Sequence, residues 1–523
     1  MRKGFTLVEL LAVILILGII TLIAIPTVKI ILNEARKGAF KTTLMNIEKA
    51  VESNCSIQQI MNKELDTVYT ITDGKIMPKV EIKGDLPDGT IYLNNECSVY
   101  FTLFDSNFTG IKNENEDIEI VEKKVYIEKH LNGANPVLGN NLIPVVIADD
   151  GTVTKADIFS KWYSYEEKKW ANAVILTDTG KVEDDGTIKE DSIESYFVWI
   201  PRFKYKLFDL GNYTGYVSTE KPTVSNAKEI EIVFENVNNE ISNGDEVNEY
   251  LSHPAFTSFN SNGFWAGKYE VTGTVNNITV KPNKVALGNQ TLGTMFHKFY
   301  EYKRENNSHM MKNTEWGAIT YLSHSKYGRC TDNVCVELNL NNHSGFLTGH
   351  SHVVGTDQST YRGTFGTTSN VTLPYNTETG YLASTTGNIT GIYDMSGGAH
   401  EYVAGYVDGY FGNSGITQKT VNEYGSKYFD IYSKQSSVSG YSNRILGDAT
   451  GELGPFYYYK DGDNNTRYHN GWYGDSSYFV EPGESWFCRG GSYNYGGIAG
   501  TGYFARYTGA GRNYMGFRLV LGQ

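Results

Sequence analysis

The 523-residue sequence has no lysine- or arginine-rich run, and its acidic side chains outnumber its basic ones to a formal charge of −13. Binding along duplex phosphates depends on clustered basic side chains, so nucleic acid is not expected as a partner. Cysteine is scarce, with only Cys55, Cys97, Cys330, Cys335 and Cys488. Cys55 with Cys97, and Cys330 with Cys335 inside "CTDNVC", could each close as a disulfide in an exported protein. The alternative is five buried free thiols. No second cysteine pair and no histidine pair stands at ligand spacing, which argues against zinc. Zincin, P-loop and nucleophile-elbow motifs are absent, and most of the ten histidines are scattered singly. The sequence also lacks any clear repeat or long low-complexity segment.

What is present begins at the N-terminus, with "MRKGFTLVELLAVILILGIITLIAIPTVK". Phe5 to Ile25 is apolar except for Thr6, Glu9, Gly18 and Thr21. About 20 apolar residues suffice to span a bilayer as a helix. A secretory signal would have a shorter apolar core with a small-x-small cleavage site after it. Glu9 is informative, because a carboxylate inside a membrane-spanning segment is costly without a partner and marks function. The phrase "KGFTLVE" closely resembles the leader of type IV prepilins. That resemblance implies cleavage between Gly4 and Phe5 by a prepilin peptidase, followed by methylation of Phe5. It also implies that Glu9 neutralises the amino terminus of a neighbouring pilin-like subunit. A plain single-span anchor with a chance glutamate is the bland alternative. Pro26 stands where pilin helices often kink or melt locally. Apolar positions recurring at three and four carry the predicted helix to about residue 55.

From about Val68 to Val125 short β-rich runs alternate with Asn, Asp and Gly. The expected organisation is a leader at 1–4 and a pilin-like helix with a small antiparallel head at 5–125. Residues 126–155, rich in Asn, Gly and Pro, read as a linker, and 156–523 as a ligand-binding domain.

Five phrases in that last domain are collinear with one family: "YFVWIPRFKY" from Tyr196, "GFWAGKYEVTG" from Gly263, "MMKNTEWGAITYLS" from Met310, "TGNITGIYDMSGGAHEYVAG" from Thr386 and "WFCRGGSY…MGFRLV" from Trp486. Together they resemble the formylglycine-generating-enzyme/sulfatase-modifying-factor domain, a variant of the C-type lectin fold. The implied fold class is α+β, with many short strands and loops after the long pilin helix. In that family the second phrase is an early strand, the third a helix and the last the closing hairpin region. The aromatics of "FWAGKYE" and "IYDMSGG" read as core. Arg489 and Arg518, in mostly apolar settings, read as buried structural charges with carboxylate partners, for which Asp394 and Glu401 are candidates. No cofactor is expected, although some family members bind calcium in this region, near Asp394 or Glu401. Gly398 and His400 replace the family's asparagine and tryptophan there, which weakens the carry-over. The oxidase members use a cysteine pair shortly after "GGS", whereas this chain has "SYNYGGIAGTGYFAR". Without those thiols no enzyme is expected.

Recognition is what remains. Between Ser492 and Tyr514 stand five tyrosines, six glycines and two asparagines, without the polar/apolar alternation of an ordinary core strand. Tyrosine offers contact area at low entropic cost, and Gly, Ser and Asn adapt around it. The expected ligand contacts are Tyr493, Asn494, Tyr495, Tyr503, Tyr507, Arg512, Asn513 and Tyr514. A second tyrosine-rich segment from Phe456 could join the same face. The placement also resembles the variable region of proteins targeted by diversity-generating retroelements. The expectation is thus a pilin-like adhesin, membrane-anchored through residues 5–25 and then carried to the cell surface in a fibre. Its external ligand would be a protein or a glycan. The alternatives are a structural minor pilin or secretion pseudopilin and, against the missing cysteines, a formylglycine-type oxidase. A Gly/Tyr-rich hairpin without any partner is the bland reading of the tail.

Overall fold

Helix α1 spans Leu7–Ile60, slightly past the end its apolar periodicity predicts. The computed structural model describes residues 7–63, 65–66, 68–72, 74–94, 96–112, 117–139, 141–206, 217–218, 229–237, 250–352, 372–433, 456–460, 466–470, 475–476 and 478–522, with backbone alone for 7–27, 30, 217–218, 456–460 and 466–470. The expected processing residues Gly4 and Phe5 therefore lie outside the described residues, and Glu9 is known only as a helical backbone position. The helix continues through Pro26. Among the described residues no helix is long and apolar enough to cross a membrane. The apolar run at 5–25 falls where no side chain is described.

The chain divides into two units, Met1–Val125 and Tyr126–Gln523. In the first, Phe40, Leu44, Ile47, Val51 and Cys55 recur every three or four residues and form the buried face of α1. The strands are β1 (Val68–Thr72), β2 (Lys75–Met77), β3 (Asp88–Leu93), β4 (Val99–Phe104), β5 (Thr109–Lys112) and β6 (Glu119–Val121). They form an antiparallel sheet in the order β2-β1-β3-β4-β5-β6. Tyr69, Ile71, Ile91, Leu93, Phe101 and Leu103 pack with the helix stripe. The contact is close: a Cβ on Gly110 would lie 2.1 Å from Leu44 Cδ1. A Cys55–Cys97 disulfide ties the helix to the β3–β4 connection.

The second unit contains β7 (Ile143–Ile147), β8 (Val153–Lys155), β9 (Asn172–Leu176), β10 (Thr187–Ile188), β11 (Ile193–Pro201), β12 (Gly263–Gly267), α2 (Leu292–Tyr302), β13 (Ser308–Met310) and α3 (Asn313–Ser323). It continues with β14 (His400–Val407), β15 (Asp430–Tyr432), β16 (Trp486–Gly490), β17 (Gly500–Tyr507), β18 (Met515–Phe517) and β19 (Leu519–Leu521). Among the described residues the main sheet has the order β10-β8-β7-β9-β11-β12-β19-β13. A second sheet runs β15-β14-β16-β17, with β18 pairing in parallel to His400–Tyr402 of β14. Helices and antiparallel-rich sheets together make an α+β chain.

Residues 126–155, expected as a linker, belong instead to the second unit. They supply β7 and β8 to the main sheet, and Leu131, Ala134, Val137 and Leu142 are buried. The indoles of Trp199 and Trp265 donate to the carbonyls of Ala134 at 2.9 Å and Val137 at 2.6 Å. Their turn-forming composition serves tight connections between docked segments. Trp265, Tyr269 and Tyr393 are fully buried, as their apolar neighbours suggest.

The chain end also departs from expectation. "RGGS" and "GFRLV" do not close one hairpin: β16 lies between β14 and β17, whereas β19 lies between β12 and β13. The glycine-rich stretch between them contains β17, whose residues are buried from Gly500 through Ala505. A strand covered on both faces has no reason to alternate, so periodicity gave no strand signal there.

Candidate ligand-binding site

The face that carries the tail tyrosines rests on two buried arginines. Arg518, between β18 and β19, donates from Nε to Glu401 Oε2 at 2.9 Å, and its Nη2 makes a second bond to Glu401 Oε1. Its Nη1 and Nη2 also donate to the carbonyls of Gly267 and Tyr393, both at 2.9 Å. One guanidinium thereby ties β14 and β12 to the chain end. Arg489, in β16, donates to Asn313 Oδ1 at 2.6 Å and to the Tyr503 carbonyl at 3.0 Å, and it lies over the Trp316 ring. Asp394, the other candidate carboxylate, takes its hydrogen bonds elsewhere. Its Oδ1 accepts from Asn341 Nδ2 and from the Gly349 N–H, each at 2.8 Å.

Strand pairing then brings the tyrosines together. The parallel β14–β18 pair sets His400 beside Met515, and the His400 N–H donates to the Tyr514 carbonyl at 2.9 Å. Gly490 and Gly491, both with φ of +80°, turn the chain out of β16. The Tyr493 N–H returns to the Gly398 carbonyl at 2.8 Å. The outcome is a cluster of four phenol rings on one imidazole. The His400 ring centroid lies 4.8 Å from that of Tyr495, 5.5 Å from Tyr503, 5.7 Å from Tyr507 and 6.0 Å from Tyr514. The hydroxyls of Tyr495 and Tyr507 share a hydrogen bond.

The eight expected contacts fall into three groups. Tyr495, Tyr507 and Tyr514 are half-buried around His400, and Tyr503 is buried beneath them. Tyr493 sits apart, its ring edge-on to Phe346 at 5.1 Å, with Asn494 half-buried beside it. Arg512 and Asn513 are exposed on the loop that leads into β18. Tyr503 is thus a support for the cluster and not an outward contact. The residues of the second tyrosine-rich segment, 456–460 and 466–470, pair antiparallel. Their side chains lie outside the described residues.

His400 and Phe346 were not among the expected contacts. A lone histidine reads most simply as a satisfied structural residue, yet among the described residues Nδ1 of His400 is buried without a hydrogen-bond partner. Such a group costs about 1–3 kcal/mol. Burial also lowers its pKa to about 3, so the imidazole is neutral. Its position where the resembled sequences carry tryptophan was the one sequence signal available. Phe346 carries a φ of +53°, a strained backbone for a bulky side chain, and sequence gives no warning of that.

The remaining cysteines pair as Cys330–Cys335, while Cys488 is free and buried. Burial pushes the Cys488 thiol well up, away from the nucleophilic thiolate. Of the two calcium candidates, Glu401 pairs with Arg518, and Asp394 accepts from Asn341 and Gly349. Among the described residues no group of three or more His, Cys, Asp or Glu side chains is placed to hold a metal ion.

Compared with known proteins, residues 1–25 match the family described as the prokaryotic N-terminal methylation motif. No curated protein matches the chain. The match supports a pilin-like N-terminus, with the peptidase processing and subunit assembly that such a motif generally entails.

Proposed function

We propose that this chain is a surface-displayed, pilin-like adhesin, stored in the membrane through residues 5–25 and then assembled through its N-terminal helix. Its second unit binds an external ligand through the tyrosine/glycine face. The methylation motif supports the first half of this reading. The second half rests on one observation: four tyrosine rings gather on His400, three of them half-open to solvent. Aromatic, low-charge surfaces of this kind are recognition surfaces. In this reading the second unit is a C-type lectin-like domain related to formylglycine-generating enzymes but without catalysis or a required metal. Its tail corresponds to the variable region of retroelement-targeted proteins.

A structural minor pilin or pseudopilin shares the N-terminal half of the reading. Val28, Ile31 and Leu32, exposed on α1, would serve helix packing in either case. The tyrosine cluster favours the binder, because a cap on a fibre has no need of it.

The test uses displayed full-length protein. Replacing Tyr495, Tyr507 and Tyr514 together by alanine should lower adhesion to target surfaces by at least about tenfold, with fibre incorporation unchanged. Undiminished adhesion would sink the proposal. Mass spectrometry of the same fibres should show a mature chain beginning at methylated Phe5.

A further inference from the structure

Helix α1 runs without a break from the apolar stretch at 5–25 into residues 26–47. There it carries Lys29, Arg36, Lys37 and Lys41 against a single acid, Glu34, in a chain whose formal charge is −13. Lys29, Arg36 and Lys41 are exposed and Lys37 is half-buried. Among the described residues the first cation along the chain to form an ion pair is Lys112, with Glu48 at 3.3 Å. Glu122 of the head reaches this part of the helix, but it accepts a hydrogen bond from Asn33.

Helical rise fixes the depth of each charge if the apolar run spans a bilayer. Lys29 stands about 6 Å beyond Ile25, within a headgroup layer about 5–7 Å thick. Arg36 and Lys37 stand about 17 Å out, and Lys41 about 24 Å. Helical side chains lean toward the N-terminus, which here is the bilayer side. The long stems of Arg36 and Lys37 therefore carry their charges to within one screening length of the headgroups, about 8–10 Å, while Lys41 stays outside it. Cleavage after Gly4 would remove Arg2 and Lys3 from the opposite surface. The collar after Ile25 would then hold the cations that remain beside the membrane.

We propose that in the membrane-stored form Lys29, Arg36 and Lys37 hold the phosphates of anionic lipid headgroups. Depth selects this partner, because a cation fixed in the headgroup layer meets lipid phosphate before any soluble anion. Charge selects the lipid class: a zwitterionic headgroup carries its own cation, whereas an anionic one leaves its phosphate to the protein. The inference rests on the membrane-storage reading above and adds the class of lipid.

The full-length chain is reconstituted into phosphatidylcholine vesicles that carry trace spin-labelled phosphatidylglycerol or trace spin-labelled phosphatidylcholine. Electron paramagnetic resonance then reads the share of each label slowed by the protein, and flotation checks that each variant has inserted. Phosphatidylglycerol should be favoured about fivefold at low salt. Most of that preference should vanish at about 0.5 M salt, where charges are screened within a few ångströms. The triple variant Lys29→Gln, Arg36→Gln, Lys37→Gln should favour neither lipid, whereas Lys41→Gln should behave as wild type. Equal slowing of the two lipids by wild type, a preference that survives the triple variant, or one abolished by Lys41→Gln each overturns the inference. A chain that does not float with the vesicles sinks the storage reading and this inference with it. A chain that floats without a lipid preference leaves the storage reading standing and removes only the lipid contact.

Discussion

Arg518 and Glu401 form a doubly hydrogen-bonded ion pair with neither side chain exposed to solvent. The same guanidinium holds two carbonyls, so it joins four chain segments at one point. Arg518→Met would leave a buried carboxylate without its partner. The expected cost is about 3–5 kcal/mol, read from denaturant unfolding of the second unit. Adding Glu401→Leu should recover much of that loss; if the double variant is no better, the pair's geometry is not what the single variant disturbs.

Glu270 is the unbalanced member of the same cluster. Burial first, then the Asp394 and Glu401 carboxylates, raise its pKa well above the ordinary carboxylate range. Its Oε1 accepts from the Ala399 N–H at 2.8 Å, while among the described residues Oε2 has no hydrogen-bond partner. A folded-state pKa raised above the unfolded value stabilises fully below the unfolded pKa, near 4.3, and that contribution is lost as pH rises through the folded pKa. Glu270→Gln should therefore gain stability over wild type as pH rises and flatten the alkaline limb of the stability curve. Parallel curves for the two proteins would disprove the assignment.

Glu315 has the opposite sign. Burial alone would raise its pKa, but His309, with Nε2 at 2.9 Å, and Lys312 outweigh burial and hold it below the usual range. A depressed carboxylate stabilises above the unfolded pKa, and the contribution is lost as pH falls through the folded value. Glu315→Gln should make the acid limb shallower, measured as unfolding midpoint against pH from about 6 to 3.

In the first unit, Gly110→Val places side-chain atoms where Leu44 already stands, since a Cβ alone would lie 2.1 Å from Leu44 Cδ1. Overpacking of this kind costs about 1–3 kcal/mol. A double variant with Leu44→Ala should regain part of it, and an additive double would refute the contact.

Thiol titration checks the cysteines. Native protein should show no reactive thiol, and unfolding without reductant should release one, Cys488. Two disulfides, Cys55–Cys97 and Cys330–Cys335, account for the others. More than one thiol under those conditions contradicts the pairing.

Local signals read well where one periodicity ruled. The α1 stripe from Phe40 to Cys55 follows from helical spacing alone, and the antiparallel head follows from short alternating runs. The helix at "TEWGA" is α3. Residues 126–155 misled because Asn, Gly and Pro mark turns without saying whether the segments between them are docked. β17 misled because burial on both faces erases alternation.

By itself the sequence determined the N-terminal methylation motif, the long helix with its apolar stripe, and a tail of tyrosines and glycines. These are local properties, written in adjacent residues. Only tertiary structure decided that Glu401 and not Asp394 holds Arg518, that Tyr503 lies beneath the face, and that His400 is the point on which four tyrosines meet. His400 is more than ninety residues from those tyrosines in the chain. No local pattern links residues so far apart; the β14–β18 register and the turn after β16 bring them together.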